Sequence, residues 1–253
     1  MPHGYGPHVE LTATVVGVGL VAAFVFGVSK TAVPAVSAFG VALLATVLPP
    51  VPSTGVALPV LIVVDVFAIV LYGRHADRGL LLRLLPSVVV GLAAGWTLVR
   101  LADPAVVTRV IGVVLLLSVA GALVRRRADA AAPARAGGPV ALLLGAGAGL
   151  STMVANAGGP MMTLYLLRMR VGVLGFLGTV SWFFAAVNVL KVPFSVGLGL
   201  ITPESLVVSA ALVPGAVAGA LLGRRLVRGM SVEVFRALAL TATAAAGVWL
   251  VVR

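Results

Sequence analysis

Residues 56–73 read VALPVLIVVDVFAIVLYG, a run interrupted by a single charged side chain, Asp65. A segment of this kind finds no polar surroundings for its backbone in lipid, so it must satisfy its own N–H and C=O groups as a helix. Crossing the hydrocarbon takes about 20 apolar residues. Comparable runs lie at 11–28, 32–48, 81–101, 105–124, 139–155, 158–167, 172–200, 204–223 and 231–252. Membrane β-strands are shorter and alternate, so these runs predict helices. With 61% hydrophobic and 10% charged residues, the chain cannot coat a soluble surface, which normally needs roughly 25% charged residues. A cytosolic enzyme, a disordered tail and a disulfide scaffold are excluded. The absence of cysteine removes thiolate metal sites and cysteine nucleophiles. A net charge of +11 would suggest nucleic acid for a soluble chain. In this apolar background the arginines read as loop signals, and no nucleic-acid partner is expected. The start, MPHGYGPHVE, carries no Lys or Arg and is expected to belong to the mature protein rather than to a cleaved signal.

The two halves of the chain look alike. Gly27-Val28-Ser29 recurs as Gly149-Leu150-Ser151, Pro34 as Pro160, Gly55 as Gly178, and Asp65 as Asn188. Pro86, Gly91 and Gly95 recur as Pro214, Gly219 and Gly223, then Arg109 as Arg236 and Gly121 as Gly247. Their collinear order predicts a repeat, a recurrent feature of transporters. Residues 1–124 form the first repeat, 125–138 a basic linker, and 139–253 the second.

Arginines cluster at Arg74/Arg78/Arg83, Arg125/Arg126/Arg127/Arg135, Arg168/Arg170 and Arg224/Arg225/Arg228. The positive-inside rule places all four clusters in the cytoplasm and the C-terminus outside. Segment 158–167 is too short to span as a straight helix, so 139–155 and 158–167 are candidates for a re-entrant hairpin, as are 11–28 and 32–48. With hairpins or with full spans, each half crosses an odd number of times, which makes the halves inverted. The expected fold is an all-α integral membrane protein in two inverted repeats with interrupted helices. It has about eight transmembrane elements, or ten if every segment spans.

The breaks are the first candidate site. They read Ser29-Lys30-Thr31-Ala32-Val33-Pro34 and Ser151-Thr152-Met153-Val154-Ala155-Asn156-Ala157-Gly158-Gly159-Pro160. Pro34, Gly158, Gly159 and Pro160 interrupt the helix. A helix that restarts presents free N–H groups, and these attract anions. The competing reading is an inert polar turn. Ionisable groups within apolar segments, Lys30, Lys191 and Asp65, are costly and therefore paired or functional. Asn188 and Lys191 share one helix face. Ser29, Lys30, Thr31, Ser151, Thr152, Asn156, Asn188 and Lys191 are thus the candidate anion-binding residues, and Asp65 the candidate proton carrier. A structural pair of Asp65 with Lys30 or Lys191 is the alternative. Ser53-Thr54-Gly55 and Gly178-Thr179-Val180-Ser181 offer further hydroxyls, or merely bond the preceding turn.

Other signals carry less. Gly17-Val18-Gly19 lacks a strand–helix unit around it, and His3, His8 and His75 form no metal-ligand cluster. Gly91/Gly95 and Gly215/Gly219/Gly223 have the spacing of close helix packing. Trp96, Trp182 and Trp249 are candidate interface anchors, and Arg100 and Arg109 snorkelling residues. No metal or cofactor is expected.

The two break sequences, the stretch Ser53-Thr54-Gly55 … Leu58-Pro59 … Asp65, and Asn188-Val189-Leu190-Lys191-Val192-Pro193-Phe194 resemble the sulfite exporter TauE/SafE family. The resemblance covers about residues 10–252. It implies a multi-span plasma-membrane permease for sulfite, sulfoacetate or related organosulfur anions. Ser29-Lys30-Thr31 replaces the Gly-rich run that many members carry at the first break. The expected function is secondary transport of a small anion by alternating access, with no enzymatic activity. A passive anion channel and a non-transporting scaffold subunit remain as alternatives. The expected partners are the anion and the lipid bilayer. Protons as coupling ion and further copies of the chain are the partners left to test.

Overall fold

The computed structural model describes residues 12–48, 50–101 and 138–252, together with Val113, Leu116 and Ala120. Apart from those three positions, segment 105–124 lies outside the described residues, as do Arg109 and the linker arginines.

Among the described residues all regular structure is helical. The helices are α1 (Ala13–Thr31), α2 (Ser37–Leu44), α3 (Pro50–Tyr72), α4 (Arg78–Leu101), α5 (Pro139–Ala155), α6 (Gly159–Arg168), α7 (Val173–Gly197), α8 (Pro203–Val227) and α9 (Val232–Val252). Six stretches are long and apolar enough to cross a membrane: Ala13–Thr31, Ser53–His75, Arg78–Val99, Val173–Gly197, Pro203–Val227 and Val232–Trp249. Helices α2 and α6 are too short to do so.

Two boundaries differ from the sequence reading. Pro50 and Pro52, which precede the apolar run at 56–73 in the sequence, form the first turn of α3, where the missing N–H of proline costs no intrahelical bond. Helix α1 continues through Ser29-Lys30-Thr31, and its break falls at Ala32-Val33. There Pro34 forces Val33 into an extended conformation. The second break closes on Asn156, which caps α5 in the left-handed region at φ 49°, a conformation asparagine tolerates better than most residues. Thr202 opens α8 with a reciprocal cap: its hydroxyl accepts from the Ser205 N–H (3.2 Å) and its own N–H donates to the Ser205 hydroxyl (2.9 Å).

Glycines set the tightest helix contacts. A Cβ added at Gly27 would meet the backbone of Ala216 and Ala220, at Gly219 that of Phe24, and at Gly223 Val28 and Thr31. Helices α1 and α8 therefore run parallel in close contact. Helices α4 and α5 do the same: a Cβ at Gly149 would meet Val88 and Leu92, at Gly91 Ala146, and at Gly95 Leu150 and Met153. The expected packing role of Gly91/Gly95 and Gly215/Gly219/Gly223 is thereby met. Gly219→Val is expected to cost about 1–3 kcal/mol or more through overpacking, read as a lower thermal midpoint in detergent. Gly17→Ala, which meets nothing, is expected to leave the midpoint unchanged or to raise it slightly.

The other directions follow from the same contacts. Gly40 packs on Phe26 and Ala22, and Gly158 packs on Ala148, so α1/α2 and α5/α6 are antiparallel hairpins. Gly55 lies on Leu200 and Gly178 on Tyr72 and His75, so α3 and α7 run antiparallel. Three of the arginine clusters share one end of the bundle. Arg224 and Arg228 lie near Tyr72, and Arg83 lies near Tyr165, whose hydroxyl donates to the Leu80 carbonyl (3.3 Å). Helix α1 runs towards that basic end and α5 away from it, so the hairpins enter from opposite ends. Their tips meet where Gly159 lies against the Pro34 carbonyl. Apolar side chains point outward along the long helices, among them Val66, Val70, Val89, Val90 and Val207. A continuous apolar exterior fits lipid.

Candidate functional site

The two tips lie against α3 and α7, where the ionisable residues of the apolar segments converge. Lys30, in the last turn of α1, forms an ion pair of 2.7 Å with Asp65 of α3. Its ammonium also lies 3.9 Å from the centroid of the Phe184 ring, a favourable place for a desolvated cation. Asn188 of α7 donates its amide to the other oxygen of Asp65 at 2.6 Å. Asp65 and Asn188, the positions expected to correspond in the two halves, thus touch each other.

One turn further along α7, Lys191 reaches the opposite tip. It donates to the Thr152 carbonyl at 2.5 Å and to the side-chain oxygen of Asn156. Asn156 in turn donates to the Thr54 carbonyl (3.0 Å) at the start of α3. Both lysines are 4% exposed or less, which places them away from lipid and from bulk water. An unpaired charge at this depth costs about 2.5–3.5 kcal/mol on insertion scales, so the partners are what allow these lysines to stay.

The two lysines are held differently. Lys30 faces a carboxylate. Among the described residues, Lys191 hydrogen-bonds to neutral acceptors, a carbonyl and an amide oxygen. Both sit at the carbonyl ends of helices, α1 for Lys30 and α5 for Lys191, where the dipole favours a cation. The restarted N-termini at Pro34 and Gly159, the basis for expecting an anion, lie at the same two breaks.

Of the expected residues, Lys30, Asp65, Asn188, Lys191, Thr152 and Asn156 come together. Thr152 takes part through its carbonyl. Ser151 instead donates to the Gly147 carbonyl of its own helix (2.7 Å). Thr31 shares its hydroxyl between the Gly27 and Ala220 carbonyls, both at 3.0 Å, and so faces α8. The backbone carbonyl of Thr31 accepts from the Tyr72 hydroxyl (3.1 Å). Ser29 is buried with its hydroxyl unpartnered among the described residues, as is the side-chain oxygen of Asn188. Gly178, Thr179 and Ser181 sit towards the basic end, where the Thr179 hydroxyl accepts from the Asp77 N–H (2.9 Å). Trp182, expected at an interface, donates there to the Gly73 carbonyl (3.3 Å). Sequence reading did not single out Phe184, although it lies on the Asn188/Lys191 face of α7, one turn before Asn188.

A profile described as sulfite exporter TauE/SafE matches residues 11–250. No curated protein and no solved structure matches. The profile spans both hairpins and both lysines, and the helices between its limits are long and apolar enough for repeated crossing. The chain therefore belongs to the sulfite exporter TauE/SafE family of multi-span membrane transporters.

Proposed function

We propose that the protein is a plasma-membrane secondary transporter of sulfite or a small sulfonate, working by alternating access around the paired hairpin tips. The observation that carries this reading is the burial of two lysines, Lys30 and Lys191, where two interrupted helices meet beside α3 and α7. Interrupted helices in matching positions of two halves are where transporters bind their cargo, and lysine suits a compact oxyanion.

An inverted repeat with two hairpins underlies the reading. It is supported by contacts that recur with the halves exchanged. Gly27 on Ala216 and Ala220 answers Gly149 on Val88 and Leu92. Gly219 on Phe24 answers Gly91 on Ala146, and Gly223 on Val28 and Thr31 answers Gly95 on Leu150 and Met153. Rocking one half against the other would open the tips to either side in turn. The shared basic end supports a cytoplasmic placement for the described arginine clusters, and with it an external C-terminus.

Asp65 is the proposed proton carrier. Its carboxylate is bonded to Lys30 and Asn188, so a proton arriving there would release Lys30 from its ion pair. Purified protein in liposomes is expected to move sulfite against a gradient when a proton gradient is imposed. Asp65→Asn is expected to abolish the dependence on that gradient, and unchanged pH dependence would remove Asp65 from this role. Conductance without uphill accumulation would establish the channel reading instead. Folded protein without any flux would favour the scaffold.

A further inference from the structure

We propose that the site is matched to a single negative charge, so that its cargo is a monoanionic sulfur oxyanion such as hydrogensulfite or an alkanesulfonate rather than a dianion. This rests on the anion-transport reading and narrows its substrate class.

The inference comes from the charges gathered at the tips. Lys30 and Asp65 cancel through their 2.7 Å ion pair. Lys191 adds one positive charge, and its partners, the Thr152 carbonyl and the Asn156 amide oxygen, are neutral. The described side chains of the cluster therefore sum to +1. The helix ends alter this little, because each break joins a carbonyl end to a restarted N–H end and their partial charges oppose each other.

A monoanion at Lys191 brings the buried cluster to neutrality. A dianion leaves one uncompensated charge in surroundings of low dielectric, the costly situation for any buried ion. Lys191 also has the donor to spare: an ammonium carries three N–H groups, and two are used. Asn188 offers the complementary feature, a buried side-chain oxygen without a partner among the described residues, which suits the O–H of hydrogensulfite.

The test compares methanesulfonate with methanedisulfonate, which stay singly and doubly charged across the working pH range. Binding to the purified full chain is measured by calorimetry at matched ionic strength, beside sulfite as reference. Methanesulfonate is expected to bind about tenfold or more tightly than the disulfonate, because only the latter leaves a buried charge unpaired. Equal or tighter binding of the disulfonate overturns the inference and leaves an anion transporter standing. Failure of sulfite and both probes to bind folded protein overturns the anion reading and the inference with it.

Charge variants separate net charge from shape. Asp65→Asn raises the cluster to +2 and is expected to shift preference towards the disulfonate. The double variant Lys30→Gln/Asp65→Asn restores +1 without a buried ion pair and is expected to restore the preference for the monoanion. This second variant keeps the test available if Asp65→Asn alone does not fold. A double variant that binds the disulfonate better than the monoanion overturns the charge match.

Discussion

Replacing Lys191 by glutamine is expected to weaken sulfite binding by about 100-fold or more, close to 3 kcal/mol, the range for truncating a buried hydrogen-bonded charge. Lys191 supplies the net positive charge of the cluster, since Lys30 is already engaged by Asp65. Glutamine suits the test because its amide N–H can still reach the Thr152 carbonyl or Asn156. Alanine would strand both acceptors, at about 1–3 kcal/mol for each buried group left unsatisfied. Calorimetry on the folded variant reads the effect. Affinity equal to that of the parent would mean that the Lys191 ammonium only ties α7 to the second hairpin.

Lys30→Met is expected to act on stability first. It leaves the Asp65 carboxylate buried with Asn188 as its remaining close partner, and breaking a buried pair typically costs about 3–5 kcal/mol. Thermal unfolding in detergent should show a large fall in the midpoint. The double variant Lys30→Met/Asp65→Leu should recover most of it, because no charge is then stranded. If the double variant is no more stable than Lys30→Met, the two side chains are not energetically coupled. Such an outcome would return Lys30 to the list of direct anion ligands. Recovery of stability together with loss of uphill transport would separate the structural part of the pair from its coupling part.

Much of the architecture was legible because lipid leaves few choices. Ten apolar runs predict helices, and the described helices fall close to those runs. The exceptions lie where proline changes meaning with context. In Pro50 and Pro52 the residue starts a helix, whereas Pro34 ends the extended step after one, and composition alone does not separate the two. The short segment 158–167 stood out by its length, and the helix it forms, Gly159–Arg168, is too short to span as a straight helix.

The buried polar cluster was legible as a set of side chains and not in its pairing. Asp65, Lys30 and Lys191 stand out because an ionisable group in an apolar run is expensive, and Asn156 because it sits at a break. Which lysine meets Asp65 was undecided, since both were candidates along the chain. Ser151 and Thr31 have the right chemistry for a ligand, yet their hydroxyls serve carbonyls of their own or a neighbouring helix. A hydroxyl one turn above a free carbonyl has that option in any helix, so no local pattern distinguishes the two uses. Phe184 carries no polar signal at all; its role exists only because α1 brings Lys30 over its ring.

The sequence alone determined that this chain lives in lipid, where its helices break, and which few side chains bring polarity into the apolar interior. Those are consequences of solvation and of the backbone chemistry of proline and glycine, which act locally. Only the tertiary structure decided that Asp65 belongs to Lys30 and that Lys191 is left with neutral partners. That outcome depends on two hairpins entering from opposite ends and meeting at Pro34 and Gly159. Side chains more than a hundred positions apart then share one buried space, where charge must balance across the whole cluster.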